Sequence, residues 1–149
     1  MALVFWGSTK CGICGQVLNV GDQIDAFPSI VQNELDPLYH FNDEAFHQAC
    51  LMNSPDWERI NIAFKQFLLL ANLRKCTVCG NSITNPGECV NLGLLTTNKD
   101  DLLFRYNFLS FHKEHFSQWA EKGKILSYLK EQKAMGLWTG KNLDWIFDV

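Results

Sequence analysis

Two sets of cysteine and histidine residues recur along the chain at a fixed distance, and no other feature limits its fold as tightly. Cys11 and Cys14 are followed, after 32 intervening residues, by His47 and Cys50; Cys76 and Cys79 are followed, again after 32, by His112 and His115. The offset is 65 throughout, and it also relates Lys10 to Lys75, Gly15 to Gly80, Tyr39 to Phe104, Phe41 to Tyr106 and Phe46 to Phe111. A duplicated unit is the simplest account. Taken alone, C-x-x-C serves a redox disulfide, half of a metal site or ordinary buried packing. A redox pair needs no H-x-x-C or H-x-x-H partner at a set distance, whereas a four-donor metal site does, and here the distance occurs twice. Zinc ligation by Cys11, Cys14, His47 and Cys50, and by Cys76, Cys79, His112 and His115, is therefore expected, two structural ions in all. Buried thiols or redox use are the alternatives.

Each unit repeats one order: C-x-x-C-G, a stretch with a Gly-acid pair between short strand-like runs, then the second ligand pair. The middle stretches, QVLNVGDQIDAF and NSITNPGECVNL, read as hairpins. FNDEAFHQAC and LSFHKEHFSQW read as helices on which ligands three apart share a face, the first capped by Asn42 or Asp43. Cys89 lies close enough in sequence to compete with His115; its repeat counterpart is Ile24, or Gln23 if the Gly-acid pairs are aligned, which favours an ordinary thiol. His40, whose counterpart is Arg105, is expected to be a hydrogen-bonded side chain beside aromatic residues.

This order of knuckle, hairpin and helix resembles treble-clef zinc fingers, and the long spacer is similar to the finger of poly(ADP-ribose) polymerase type. The likeness covers residues 10–52 and 75–117. It implies zinc ligation by the eight residues named above and says little about function, because treble clefs carry binding modules and nucleases alike. A LIM arrangement fits less well, since Cys50 is followed by LMNS rather than by a second ligand set. The polymerase-type finger binds DNA through basic residues, which the first unit nearly lacks.

Between the ligand sets, SPDWERINIAFKQFLLLANLRK predicts a helix with Ser54 as cap and Pro55 at its first position. Ile60, Phe64, Phe67, Leu68 and Ala71 follow helical spacing and Leu69, Leu70 and Leu73 widen the apolar surface, so this helix is expected to be buried as a core shared by both units. The predicted fold is thus α+β, two treble-clef-like units around a shared apolar helix, with residues 1–74 holding the first unit and its helix and 75–149 the second. A second, more solvated helix, KILSYLKEQKAM, is expected between Gly123 and Gly136, followed by an aromatic tail bearing Trp138, Trp145 and Phe147 that docks on the body, beside ALVFW. No apolar run reaches the roughly 20 residues of a membrane span, so a soluble, cytoplasmic protein is expected.

Charge separates the halves. Residues 1–58 hold eight acidic groups and one basic, a balance of −7, and residues 59–149 hold eight acidic and twelve basic, a balance of +4. The acidic half would repel nucleic acid and suit a basic protein partner, with Glu34, Asp36, Asp43 and Glu44 expected to cluster at one end of the first unit. Lys113, Lys122, Lys124, Lys130 and Lys133 give the second half a basic character, ordinarily a solvated face. HKEH contains the H-x-E of zinc deaminases but no P-C-x-x-C follows it, and zinc peptidases need histidines four apart. A non-enzymatic protein-binding module is therefore expected, one form being an immunity-type inhibitor of a basic toxin nuclease. A zinc-finger nucleic-acid binder and a metal-dependent hydrolase are the alternatives.

Overall fold

The repeat of 65 residues in the sequence is a repeat of structure. A computed structural model describes residues 2–148, apart from the side chains of Ala71 and Asn72. Each unit begins with a knuckle in which the cysteine backbone turns back on itself: Gly15 N–H donates to Cys11 O and Gly80 N–H to Cys76 O, at 2.9 and 2.8 Å. The turn leaves both glycines at φ of 71° and 73°, a left-handed conformation that a side chain would resist, which explains why C-x-x-C is followed by glycine twice. A bridge then pairs Lys10 with Val17, and Lys75 with Ser82.

The expected local hairpins do not form. Strand β1 (Ile24–Ala26) pairs antiparallel with β2 (Ala45–His47), and β3 (Cys89–Asn91) with β4 (Ser110–His112), so each pair spans a long intervening loop. In register, Ile24 faces His47 and Cys89 faces His112, which settles the counterpart of Cys89 as Ile24. Short helices α1 (Gln48–Met52) and α3 (Lys113–Gln118) follow at once.

Asn42 and Asn107 hold the long loops closed. The Asn42 side chain accepts from Ile30 N–H and Val31 N–H, both at 3.0 Å, and donates to Val31 O at 2.7 Å. Asn107 does the same with Leu95, Thr96 and Thr96 O at 2.8, 3.2 and 2.9 Å. Asn42 and Asp43 therefore do not cap the N-terminus of α1; the N-cap residues of α1 and α3 are His47 and His112, neither with a side-chain capping bond. An amide, which donates and accepts at once, is what a loop with two free N–H groups and one free carbonyl requires.

The repeat also runs beyond the ligand sets. Helix α2 (Trp57–Leu73) and helix α4 (Lys122–Ala134) are counterparts, entered through Asp56 and Glu121 with nearly equal backbone angles, φ −94° and −93°. Helix α2 starts after Ser54 and Pro55, since Ser54 Oγ closes the preceding turn by accepting from Asp56 N–H at 3.3 Å. Gly123 lies within α4 rather than before it, and Gly136 ends it at φ 71°.

Two adjoining cores result. The first gathers Leu18, Phe27, Phe41, Phe46 and Leu51 with Ile60 and Ala63 of α2; the second gathers Leu92, Tyr106, Phe111 and Phe116 with Ile125 and Leu129 of α4. The recurring aromatic positions are thus core positions. Leu94 and Phe108 reach from the second unit into the first core, and Phe67 of α2 meets Phe108 with ring centroids 6.5 Å apart. A parallel bridge between Val31 and Leu94 joins the loops, and Asp36 accepts from the Thr97 N–H and hydroxyl at 3.0 and 2.9 Å.

Helix α2 is not buried all round, as its composition suggests. Ile60 and Ala63 face the core, with Phe64, Phe67 and Leu70 packed against it, while Ile62, Leu69 and Leu73 are exposed on the opposite side and Leu68 on the flank beside Phe64. Ala71 lies outside the described side chains. The tail docks as expected, but on the second core, where Trp138, Leu143 and Ile146 are buried; Val4 of the N-terminal stretch packs on the first core instead. Among the described residues no helix is long and apolar enough to cross a membrane.

Candidate metal centres

The fold brings together both ligand sets named from the sequence. The donor atoms of Cys11, Cys14, His47 and Cys50 all lie within 4.8 Å of one another, and so do those of Cys76, Cys79, His112 and His115. In each, the knuckle supplies two thiols. The first histidine comes from the last residue of a strand and the fourth donor from the opening turn of the helix behind it. The two donors therefore converge because the chain changes from extended to helical between them, not because they share a helix face.

The spacing suits a tetrahedral ion. With Zn–S near 2.3 Å and Zn–N near 2.0–2.1 Å, sulfur and nitrogen on one tetrahedron lie about 3.5 Å apart. Cys14 Sγ to His47 Nδ1 is 3.5 Å, Cys79 Sγ to His112 Nδ1 is 3.6 Å and Cys76 Sγ to His115 Nδ1 is 3.4 Å. In all three histidines it is Nδ1 that faces the sulfur. A set of soft thiolates and borderline imidazoles with four members each is the donor chemistry zinc prefers.

The buried cysteines are prepared to ionise. Burial opposes ionisation of Cys11, but the N–H groups of Cys14, Ile13 and His47 outweigh it and bring the thiol down to about 6. Cys76 is likewise brought to about 6 against burial, by the N–H groups of Cys79 and His112, the His115 side chain and Val78. The His47 and His112 N–H groups lie 3.4 and 3.5 Å from the sulfurs they serve. Cys50 moves the other way, to about 11, through its hydrogen bond with Cys14, burial and the nearby thiolates. One knuckle thiolate is thus favoured in advance, and further protons must leave when an ion enters.

Cys89 does not join the second set. It sits beside a cleft of about 270 Å³ with Phe67, Leu70 and Arg74, and burial pushes its thiol up, the reverse of Cys76. His40 bonds to Pro37 O at 2.8 Å and packs on Phe41, apart from the metal donors.

Asp22 was legible in the sequence only as a charge, yet its Oδ2 lies 3.3 Å from His47 Nε2, the nitrogen turned away from the sulfurs. A carboxylate there fixes the tautomer that leaves Nδ1 free to ligate. Asn19 N–H in turn holds the same oxygen at 2.6 Å. The repeat position of Asp22 is Gly87, and at the second centre the carboxylate beside a donor histidine is Glu114, whose Oε1 lies 3.8 Å from His115 Nε2, beyond hydrogen-bond reach. Asp22→Asn is expected to weaken metal binding at the first centre about 10–100-fold and leave the second unchanged, as read by competition with a chromophoric chelator. Equal affinities in the variant and the native protein would remove the role.

The acidic residues do not form one cluster with one role. Asp36 is taken up by Thr97, Glu34 lies against Gly140 of the tail, and Glu44 stands beside Gly12 in the first knuckle. Asp43 is exposed at φ 54°, one residue after the loop-closing Asn42. No protein-family model matches the chain, and no curated protein or solved structure does.

Proposed function

We propose that the chain is a zinc-stabilised protein-binding module in which both ions are structural and catalysis plays no part. The observation that carries this reading is that each centre has four protein donors, which fills a tetrahedron and leaves no position for a reacting water or substrate. The knuckle, strand pair and short helix around each set support the likeness to treble-clef fingers. Work by such a chain falls to its surface. Around the first unit that surface carries exposed Glu34, Asp43, Glu44 and Glu58, which suits a basic partner. A basic toxin nuclease held by an immunity-type inhibitor is one form of such a pair.

The lysines that would favour nucleic acid are largely engaged within the chain. Lys122 lies over the Phe116 ring at 5.3 Å, Lys130 and Lys133 over Phe147 at 5.6 and 5.5 Å, and Lys133 pairs with Asp144. Glu114, the acid of the H-x-E motif, is exposed beside His115, itself one of the four donors of its centre.

The test is binding to a panel of small basic nuclease domains and to duplex RNA at low and high salt. Saturable, salt-sensitive binding to a basic protein is expected, weakened about 10-fold or more by Glu34→Lys with Glu44→Lys and little by Asp100→Lys with Glu131→Lys. Asp36 is left in place because Thr97 depends on it. Saturable RNA binding with no basic protein bound would contradict the reading.

A further inference from the structure

The two centres hold equal numbers of donors but not the same ones. The first has three thiolates and one imidazole and the second two of each, the exchange falling between Cys50 and His115. Attraction for a dication of borderline softness grows with the number of thiolates around it. The surroundings widen the difference. The first set lies in the half of the chain with a balance of −7 and the second in the half with +4, so the wider field retains a cation better at the first. Support for the histidines runs the same way: Asp22 Oδ2 is 3.3 Å from His47 Nε2, whereas exposed Glu114 stands 3.8 Å from His115 Nε2. Accessibility does not offset these effects, because the burial of the four donors follows one order in both sets.

What rests on the fourth donor also differs. His115 belongs to α3, which has six residues and is too short to keep its shape without tertiary support. The next residue, Phe116, is fully buried, and the Trp145 ring of the tail lies against it with centroids 6.2 Å apart. Phe116 also shares its core with Leu143 and Ile146 of the tail. The start of the tail is held separately, by the first unit: the Asn33 amide donates to Leu137 O and accepts from Thr139 N–H, both at 3.1 Å. In the first unit the residue after Cys50 is Leu51, packed in the first core.

We propose that the second centre is the exchangeable one and acts as a zinc-dependent latch on the tail. When its ion leaves, α3 loses the bond that fixes His115, Phe116 loses its setting and residues 143–147 come off the second core. The first centre keeps its ion, and Asn33 keeps residues 137–139. Zinc supply then decides whether a strip with Trp145, Ile146 and Phe147 is covered or exposed. The proposal rests on the reading of both ions as structural and adds that they are held unequally.

The test is a titration of the isotope-labelled, zinc-loaded full chain with a competing chelator, the ions counted by native mass spectrometry and the centres told apart by amide signals at residues 47–51 and 112–116. The first ion to leave is expected to come from the second centre, at a chelator concentration about ten-fold or more below that needed for the other. In the one-ion chain, amide exchange at residues 143–147 should rise about ten-fold or more, with residues 137–139 unchanged. The Trp145 indole signal, whose N–H donates to Asn142 O at 3.0 Å, should shift at the same step. His115→Cys, which gives the second set the donors of the first, is expected to narrow the gap between the centres and to keep the tail seated at chelator concentrations that release it in the native chain. Asp22→Asn is expected to narrow the gap from the other side. Loss from the first centre first, loss of both ions in one step, or a one-ion chain whose tail stays protected would overturn this proposal alone. A chain that loads fewer than two ions would overturn the structural reading with it.

Discussion

Cys11→Ser and Cys76→Ser are each expected to remove one metal ion and to cost several kcal/mol of stability at least, more than any other single change. In small metal-stabilised units the binding energy is folding energy, with apparent values of about 10–16 kcal/mol for structural zinc. The two cysteines anchor their knuckles: each is almost fully buried, accepts an N–H from its histidine and closes its turn through the following glycine. Serine keeps the shape but supplies neither the thiolate nor its charge. Loss in one unit should reach the other, because Leu94 and Phe108 of the second unit belong to the first core. Thermal unfolding of both variants should therefore begin well below that of the native chain, and chelator should reproduce the loss without mutation. Cys89→Ser is the control, expected to keep both ions; loss of an ion there would show that the second donor set is wrongly assigned.

Asn42→Ala and Asn107→Ala are expected to cost about 2–4 kcal/mol each, without changing the number of ions bound. Each amide satisfies two N–H groups and one carbonyl of its long loop, and alanine leaves all three without that partner. An unpaired buried donor costs about 1–3 kcal/mol, with part of the total recovered wherever water can enter. Chemical denaturation of the metal-loaded protein reads this directly. A change below about 0.5 kcal/mol in both variants would mean that the loops are held mainly by their apolar packing.

How much of this was legible in the sequence depends on which physical signal was strong. The ligand sets were legible because metal coordination demands particular atoms, and a doubled offset is hard to produce otherwise. Their local structure was not, because a Gly-acid pair between two short strand-like runs suggests a hairpin, while β1 and β3 find their partners across loops of non-local contacts that no local pattern encodes. Asn42 stands where a helix cap would stand, and only the repeat of Asn107 at the same offset could have shown that the pair does another task. Asp22 has no counterpart in the second unit, so repetition could not reveal it. Helix α2 misleads through composition: Leu68, Leu69, Leu70 in a row suggest burial all round, yet only Leu70 packs against the core. The likeness of α2 to α4 was hidden for the same reason, since the counterparts share their core-facing Ile60 and Ile125 but not their outer faces.

Two complete donor sets make two separate metal centres in one chain, and native mass spectrometry of protein prepared without chelator counts the ions they hold. Two zinc ions per native chain are expected, one in Cys11→Ser and one in Cys76→Ser. A native chain carrying one ion or none, or variants that still carry two, would contradict that expectation.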